Sequence, residues 1–386
     1  MPFNFNKLAT KLIHAGEPIP HIQGSVIIPI FQSATFEHTE ETDYHNLKYL
    51  RLSNTPNHLA LHQKLASLEE GDAALVTSSG MAAISTTLLS CLSVGDHLLA
   101  QDCLYGGTHG LLSRDFSKLG LSFDFINGNN PKSWKRMLRS NTRVIYVEAI
   151  TNPLMQVADL EAITEFAKTN GLLSIIDNTF TSPVNFRPLK WGFDLSLHSA
   201  TKYLNGHSDI TAGVVIGSKT LIKRVSNKLN YLGGVLDPHA ALLLHRGIKT
   251  LVLRVKAQNQ SALQVAQFLQ SHPAVSKVNY PGLRNHPNYN LATHFFDGYG
   301  GMLSFELYSG MIGAKKLLKN LVLPIQAPSL GGVESLVTRP AASSHSGLSE
   351  KDRRRMGISQ DLIRLSVGIE ATTDLIQDLE DTLKAI

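Results

Sequence analysis

The chain contains 386 residues, which is enough for two or three compact units of roughly 150 residues each. Apolar residues make up 43% and charged residues 17% of the chain, and this balance excludes a disordered, fibrous or mucin-like protein. The formal net charge of +5 is a mild excess spread along the chain, so we expect a small anionic ligand and no nucleic-acid partner.

The sequence also disfavours membrane, disulfide-rich and metal-binding classes of protein. No apolar run approaches the roughly 18 residues of a spanning helix, and the first residues lack a signal-peptide pattern, so we expect a cytoplasmic protein without a membrane segment. Cys91 and Cys103 are too few for a disulfide framework. The 16 histidines are scattered without the spacing of a zinc site, and we expect no bound metal.

Residues 1–54 differ from the rest of the chain. They are rich in Pro, His, Asn and Thr, and their hydrophobic periodicity is weak. A segment of this kind needs another surface to become ordered. We therefore predict an N-terminal arm over residues 1–54 that contacts a neighbouring subunit.

Residues 55–245 alternate between strand-like and helical patterns. The strand-like runs are AALVT, HLLAQ, LSFDFI, TRVIYVE and LLSIID. Helical patterns occur at 57–70, from 78–80 onward, and at 111–118, 132–138 and 160–169. Alternation with continuously apolar strands predicts an α/β domain, in which helices cover both faces of a mostly parallel central sheet.

The last part of the chain has its own set of elements. A long helical pattern over 239–270 is followed by the strand-like runs KVNY, GMLSFELY and IRLSVG and by a final helical pattern at 373–385. We predict a smaller C-terminal α/β domain over residues 246–386. The cleft between the domains is the expected place of the active site, because ligands gather at the carboxyl ends of parallel strands.

Lys202 is the first candidate for chemistry. In DLSLHSATKYLNGHSD it is surrounded by small, hydroxyl and apolar residues, which indicates a partly desolvated amine of the kind that forms Schiff bases. The hydroxyls of Ser199 and Thr201 beside it suit a phosphate. The alternative is an ordinary lysine in a salt bridge.

Four further features suit a flat anionic cofactor or a carboxylate, and each has a plainer alternative. Asp177 ends the apolar run LLSIID, where it could keep a pyridine nitrogen protonated or simply form an Asx turn. Gly80 and Met81 open a helix whose N–H groups could hold an anion, although many helices begin with Ser and Gly. Tyr105 could stack on a ring or belong to the core. Arg364, alone in an apolar strand, requires either a substrate carboxylate or an internal aspartate.

These features occur together with longer motifs. The chain contains SATKYLNGHSD, IIDNTF, SSGMAA, LYGGT, ITNP, SLGGVESL and LIRLSVGIE. Together they resemble the trans-sulfuration (Cys/Met metabolism) branch of enzymes that use pyridoxal 5'-phosphate (PLP), from about residue 12 to the C-terminus. The resemblance implies the aspartate-aminotransferase-like fold (PLP fold type I), PLP as cofactor, and a homotetramer built as a dimer of dimers.

The resemblance also implies roles for single residues. Lys202 binds PLP covalently and then moves protons as general base and acid, and Asp177 pairs with the pyridine nitrogen. Tyr105 stacks on the ring and helps in proton transfer. The other implied contacts are the phosphate ligands Gly80, Met81, Ser199 and Thr201, the residues Tyr49 and Arg51 that reach the neighbouring subunit's phosphate site, and the substrate-carboxylate ligands Asn152, Ser329 and Arg364.

The implied activity is that of a carbon–sulfur lyase, which carries out β- or γ-elimination on sulfur amino acids such as cystathionine or homocysteine. One alternative is γ-replacement on an acylated homoserine, and another is methionine γ-lyase activity, because these reactions share every residue named above. An inactive scaffold is a third alternative. The intact Lys202, Asp177 and Arg364 argue against it.

The chain departs from the family's pattern at positions that bear on the substrate. Cystathionine-handling members often have arginine where Gly110 stands and glutamate where Pro328 stands, and methionine-cleaving members typically have cysteine at the position of Gly107. We therefore expect no charge for the far end of the substrate at positions 110 and 328. Arg339 is an alternative source of charge near the entrance.

Overall fold

Two β-sheets form the framework of the protein in a computed structural model that describes residues 6–37 and 43–386 and, of Asn46, the backbone alone. Within these residues one sheet has seven strands and the other has five. The predicted α/β class, with a central sheet that is mostly parallel and a second, smaller sheet, is confirmed. No helix among the described residues is both long enough and apolar enough to cross a membrane.

The larger sheet consists of β1 (Ala73–Thr77), β2 (His97–Gln101), β3 (Ser122–Ile126), β4 (Thr142–Glu148), β5 (Leu173–Asp177), β6 (Leu195–Ser199) and β7 (Gly213–Gly217). Across the sheet their order is β1-β7-β6-β5-β4-β2-β3. In the part of the chain that the structure describes, β7 is antiparallel to both of its neighbours, and the other neighbouring pairs are parallel. The runs AALVT, HLLAQ and TRVIYVE coincide with β1, β2 and β4.

Helices pack on both faces of this sheet because its central strands are apolar at almost every position. Leu98 and Val144 lie in one buried cluster, whereas Leu99 and Ile145, the next residues along, lie in the other. Successive side chains of a strand point to opposite faces, so both faces need a cover. The helices of this part are α1 (Leu8–His14), α2 (Pro56–Glu69), α3 (Gly80–Cys91), α4 (Gly106–Arg114), α5 (Pro131–Met137), α6 (Leu160–Thr169), α7 (Ser182–Asn185), α8 (Lys219–Leu232) and α9 (Pro238–Ile248).

The smaller sheet has its own core. Its strands are β8 (Val275–Asn279), β9 (Met302–Leu307), β10 (Ile325–Gln326), β11 (Leu336–Thr338) and β12 (Ile363–Ser366), in the order β10-β11-β12-β9-β8. The accompanying helices are α10 (Leu251–Ser271), α11 (Tyr289–Phe295), α12 (Gly310–Asn320), α13 (Glu350–Met356) and α14 (Thr372–Lys384). Buried side chains of α10, α12 and α14 pack against β8, β9 and β12 in one cluster.

The helical pattern over 239–270 is two helices, α9 and α10, which are separated at Lys249 and Thr250. In a continuous helix the carbonyl of Gly247 would accept the N–H four residues later. Here it accepts the buried guanidinium of Arg254 at 2.8 Å, and the same side chain donates to the carbonyl of Tyr203 at 2.8 Å. The break therefore ties the start of α10 to the loop that contains Lys202.

The N-terminal segment contacts its own chain at Glu17 and is exposed at Ile19 and Val26. Glu17 contacts Lys64 of α2 at 3.5 Å and His245 of α9 at 2.7 Å in a buried ion cluster. Beyond it, Ile19 and Val26 are 86% and 80% exposed. The predicted arm boundary and subunit contact remain predictions, and residues 1–5 and 38–42 of the arm lie outside the described residues.

In the described part of the chain, the strands β1 to β6 have their carboxyl ends at the same edge of the larger sheet. Parallel strands end on the same side, so the segments that follow β1, β2, β4, β5 and β6 are neighbours there. The last residues of β4 and β5, Glu148 and Asp177, are directly paired in register. Residues at this edge line a cavity together with residues of the C-terminal part, including Arg364 of the smaller sheet.

Candidate active site

A cavity of about 700 Å³ lies between the edge of the larger sheet and residues of the C-terminal part. Its lining includes these residues singled out from the sequence: Gly80, Met81, Tyr105, Asn152, Asp177, Ser199, Thr201, Lys202, Ser329 and Arg364. They come from distant parts of the chain and from both sheets. The structure thus brings together every candidate except Tyr49 and Arg51.

Lys202 follows β6 in a turn and is half-buried at the cavity wall. Its Nζ donates to the hydroxyl of Ser329 at 2.7 Å, and no carboxylate of the described residues pairs with it, so the salt-bridged alternative does not apply. Burial, and next the positive charge of Arg364, lower the pKa of Lys202 to about 8. An amine with this pKa is partly neutral near pH 7 and is therefore suited to nucleophilic and proton-transfer roles.

Asp177 presents a carboxylate to the cavity from the end of β5. Thr179 donates both its N–H, at 2.9 Å, and its hydroxyl to the same oxygen, Oδ1. The Asx-type contact that the plainer alternative expected is therefore present, and it leaves the second oxygen to other donors. Burial raises the pKa of Asp177, so a cationic group in the cavity would stabilise the ionised form.

The beginning of α3 forms an anion site beside β6. Ser79 caps the helix by accepting the N–H of Ala82 at 3.1 Å, and the N–H groups of Gly80 and Met81 belong to the unsatisfied first turn. A Cβ on residue 80 would lie 2.7 Å from the Cβ of Ser199. Glycine is thus required for this close approach, which leaves room for a phosphate against backbone N–H groups.

The two hydroxyls predicted to bind the phosphate, those of Ser199 and Thr201, differ in whether they already make hydrogen bonds within the chain. Ser199 ends β6 and lines the cavity beside Gly80. Thr201 also lines it, but its hydroxyl donates to the carbonyl of Ala212 at 3.2 Å and accepts the N–H of the same residue at 2.9 Å. Thr201 must therefore release the Ala212 carbonyl before it can donate to a phosphate.

Tyr105 precedes α4, lines the cavity and is 39% exposed. Its position depends on the two glycines that follow. A Cβ on Gly106 would lie 2.1 Å from the carbonyl oxygen of Ser344, and one on Gly107 would lie 2.5 Å from a Tyr105 ring carbon and 2.9 Å from the sulfur of Met81. The cysteine of methionine-cleaving members could not be placed at position 107 without moving this ring.

Arg364 of β12 is 3% exposed and has no acidic partner among the described residues, so the internal Arg–Asp alternative is not what the structure shows. It donates to Oδ1 of Asn152 at 3.2 Å and to the carbonyl of Ser329 at 3.0 Å. Ser329 adopts a left-handed backbone conformation with φ of 98°. Burial lowers the pKa of Arg364 to about 10, and a cation buried among neutral groups is a strong carboxylate ligand.

Glu148 is a cavity residue that the sequence reasoning missed. It is 4% exposed, and its two carboxylate oxygens accept the backbone N–H groups of Tyr105 and Asn152. Burial, and next the negative charge of Asp177, raise its pKa. The available signal was the one used for Asp177, namely an acidic residue at the end of a buried strand.

Tyr49 and Arg51 do not line the cavity of their own chain. Arg51 donates to the carbonyl of Asn230 in α8 at 2.5 Å and lies 5.7 Å from the centre of the Tyr49 ring. Arg339 does not line this cavity either, and it donates to the carbonyl of Gln360 at 3.4 Å. The roles expected for these three residues remain predictions.

The chain is similar to known proteins over almost its whole length. The family model for Cys/Met metabolism PLP-dependent enzymes matches residues 9–384. An L-methionine gamma-lyase of Fusobacterium nucleatum subsp. polymorphum is 40% identical, with 98% of each chain covered. A cystathionine gamma-lyase of Bacillus subtilis (strain 168) is 41% identical, over 98% of this chain and 100% of the relative.

A beta-lyase and a solved structure are similar to the same extent. A cystathionine beta-lyase of Coxiella burnetii is 39% identical, over 99% of this chain and 100% of the relative. The crystal structure of cystathionine gamma-lyase from Lactobacillus plantarum complexed with L-serine has a TM-score of 0.94 and 38% identity, and the match covers 98% of this chain and 99% of that chain. The fold is accordingly PLP fold type I, the cofactor is PLP, and the chain belongs to the family of Cys/Met metabolism PLP-dependent enzymes.

Proposed function

We propose that the chain is a PLP-dependent carbon–sulfur lyase that carries out β- or γ-elimination on sulfur amino acids such as cystathionine or homocysteine. The observation that carries the proposal is the hydrogen-bonded arrangement of Lys202, Ser329 and Arg364 in one cavity. It places an amine of lowered pKa next to a buried guanidinium that has no acidic partner among the described residues. The amine suits removal of the α-proton from an amino acid whose carboxylate the guanidinium holds.

The cavity residues fit PLP. The N–H groups at the start of α3 and the hydroxyl of Ser199 suit its phosphate, the second oxygen of Asp177 suits its ring nitrogen, and the ring of Tyr105 suits its flat face. When bound, PLP supplies the electron sink that makes the α-proton acidic. Arg364 and Asn152 then hold the substrate carboxylate, and Lys202 takes the α-proton and returns it.

Two other activities use the same residues. The similar relatives include an L-methionine gamma-lyase, a cystathionine gamma-lyase and a cystathionine beta-lyase at 39% to 41% identity, so identity favours none of them. Gly107 stands where methionine-cleaving members typically have a cysteine, and a Cβ there would lie 2.5 Å from a Tyr105 ring carbon, so the chain has no residue at this position that would favour methionine over the other substrates. Replacement of a γ-substituent on an acylated homoserine is the other alternative.

A product assay tests the proposal. The purified enzyme should release pyruvate or 2-oxobutanoate from cystathionine or homocysteine without any added thiol. Product that forms only when a thiol is supplied would assign γ-replacement instead.

The substrate range should be broad. Gly110 has open space around it and does not line the cavity, while Pro328 lines it without a charge. A lost hydrogen bond to a charged group lowers discrimination by about one to two powers of ten. We expect similar specificity constants for cystathionine, homocysteine, methionine and acylated homoserines, and a gain for cystathionine alone in Pro328→Glu. A native preference for cystathionine above about a hundredfold would contradict this prediction.

The assembly we propose is a homotetramer in the cytoplasm. Its support is the exposed apolar surface of the arm at Ile19 and Val26, together with the position of Arg51 outside its own cavity. The free and buried Cys91 and Cys103 fit a reducing compartment.

Subunit mixing tests whether the arm acts across an interface. A hybrid of one Arg51→Ala chain and one Lys202→Ala chain contains one site with both residues intact if Arg51 serves the neighbouring subunit. Random exchange should then restore about a quarter of native activity, because half of the dimers are hybrids with one working site in two. Labelled chains show whether subunits have exchanged. If they have exchanged and activity does not recover, Arg51 serves its own subunit.

A further inference from the structure

Glu148 connects two loops of the active site. It ends β4, and its carboxylate is buried at the cavity wall without a cationic partner among the described residues. Instead, Oε1 accepts the N–H of Tyr105 at 2.6 Å, and Oε2 accepts the N–H of Asn152 at 3.2 Å. Tyr105 lies in the loop after β2 and Asn152 in the loop after β4, so one side chain holds both loops.

Each of these two loops carries a side chain at a part of the cavity that suits a different ligand. The Tyr105 ring lies at the part of the cavity that suits the cofactor. The side chain of Asn152 accepts from the guanidinium of Arg364 at 3.2 Å, at the part that suits the substrate carboxylate. Glu148 itself is fixed through its own N–H, which donates to Oε1 of Gln101 at 2.9 Å.

We propose that Glu148 is a positioning residue that sets the Tyr105 ring and the Asn152 amide at a fixed separation, so that cofactor and substrate carboxylate are bound in the relative position that the reaction needs. The proposal rests on the proposed function. A carboxylate is required because two N–H donors face two atoms that must both accept. Glutamine offers one acceptor and one donor. Aspartate is one methylene shorter, so its carboxylate would lie farther from the two N–H groups that Glu148 contacts.

Glu148→Gln in the PLP-loaded enzyme tests the proposal through binding as well as activity. Glycine and methylamine serve as unreactive probes. The binding of each is measured from the change that it causes in the visible absorption of the cofactor. Glycine should bind about ten- to a hundredfold more weakly to Glu148→Gln than to the native enzyme, which corresponds to the loss of one hydrogen bond to the charged carboxylate of glycine. Methylamine lacks a carboxylate, so its affinity should change by less than about threefold. Equal losses for both probes, or no loss for glycine, would overturn the proposal.

The combination with Asn152→Ala shows whether Glu148 acts through Asn152. If it does, Glu148→Gln should weaken glycine binding much less in the Asn152→Ala background than in the native background. Full additivity of the two effects would mean that Glu148 has no role in placing Asn152. These titrations do not require turnover, so they remain decisive even if the lyase assay gives no product.

Two further variants separate position from charge and from general stability. Glu148→Asp keeps the carboxylate but shortens the side chain by one methylene. It should lose glycine affinity as Glu148→Gln does. Native glycine affinity in Glu148→Asp would show that the charge matters and the position does not. If Glu148→Gln does not fold, the Glu148→Asp titration decides. Glu17→Gln removes a buried carboxylate distant from the cavity, and should lower the melting temperature without changing glycine affinity.

Discussion

Replacing Lys202 by alanine should lower turnover by at least about three powers of ten, because covalent attachment of the cofactor and proton transfer are lost together. The variant should also lack the visible absorption of covalently bound PLP. The fold should survive, since the side chain is half-buried and its one hydrogen bond within the described residues is to the hydroxyl of Ser329. Absorption spectra and single-turnover assays on the purified variant measure both effects.

Lys64 provides a matched control for this experiment. It is also a buried lysine, and burial lowers its pKa to about 8 as well. Its amine, however, donates to the carbonyls of Leu12 and Ile13, outside the cavity. Lys64→Ala should therefore lower the melting temperature and keep the visible absorption.

Near-normal turnover in Lys202→Ala would remove the basis of the proposed mechanism.

Arg364→Ala should lower the specificity constant by about two to three powers of ten, mainly through a higher KM. The reason is that removing one partner of a buried, hydrogen-bonded charge pair costs about 2–5 kcal/mol of binding free energy, because the substrate carboxylate would be left buried without its partner. Arg364→Lys should recover only part of this loss, because an ammonium group lacks the planar fork that contacts Asn152 and Ser329 together. Steady-state kinetics on the three forms provide the comparison.

A substrate amide provides the control for Arg364. The native enzyme should prefer the amino acid over its carboxamide, and Arg364→Ala should remove most of that preference while leaving the cofactor absorption in place. A variant that still discriminates between acid and amide as strongly as the native enzyme would place the carboxylate elsewhere in the cavity.

Much of the fold could be predicted from the sequence because its strands are short, continuously apolar and regularly interrupted. The runs that became β1, β2 and β4 were located to the residue. The break between α9 and α10 could not be predicted in this way. It depends on the hydrogen bond from Arg254 to the Gly247 carbonyl and on the close approach of Gly247 to the loop that contains Lys202. Local periodicity does not contain such long-range contacts.

The candidate site was predictable in its residue types but not in its connections. Asp177, Lys202 and Arg364 stand out because each is a charge within an apolar context. Glu148 has the same signal, yet its meaning depends on two N–H donors from other loops. The pairing of Thr201 with Ala212 is likewise a matter of three-dimensional contact. The role predicted for Arg51 at a neighbouring subunit involves contacts with a second chain.

The backbone of Ser329 has a consequence for the balance between stability and activity. A left-handed conformation with φ of 98° suits glycine, and holding a serine in it costs of the order of 1–3 kcal/mol. Ser329→Gly would relieve this strain but would also remove the hydroxyl that contacts Lys202. Selection for heat resistance and selection for turnover would therefore favour different residues at position 329.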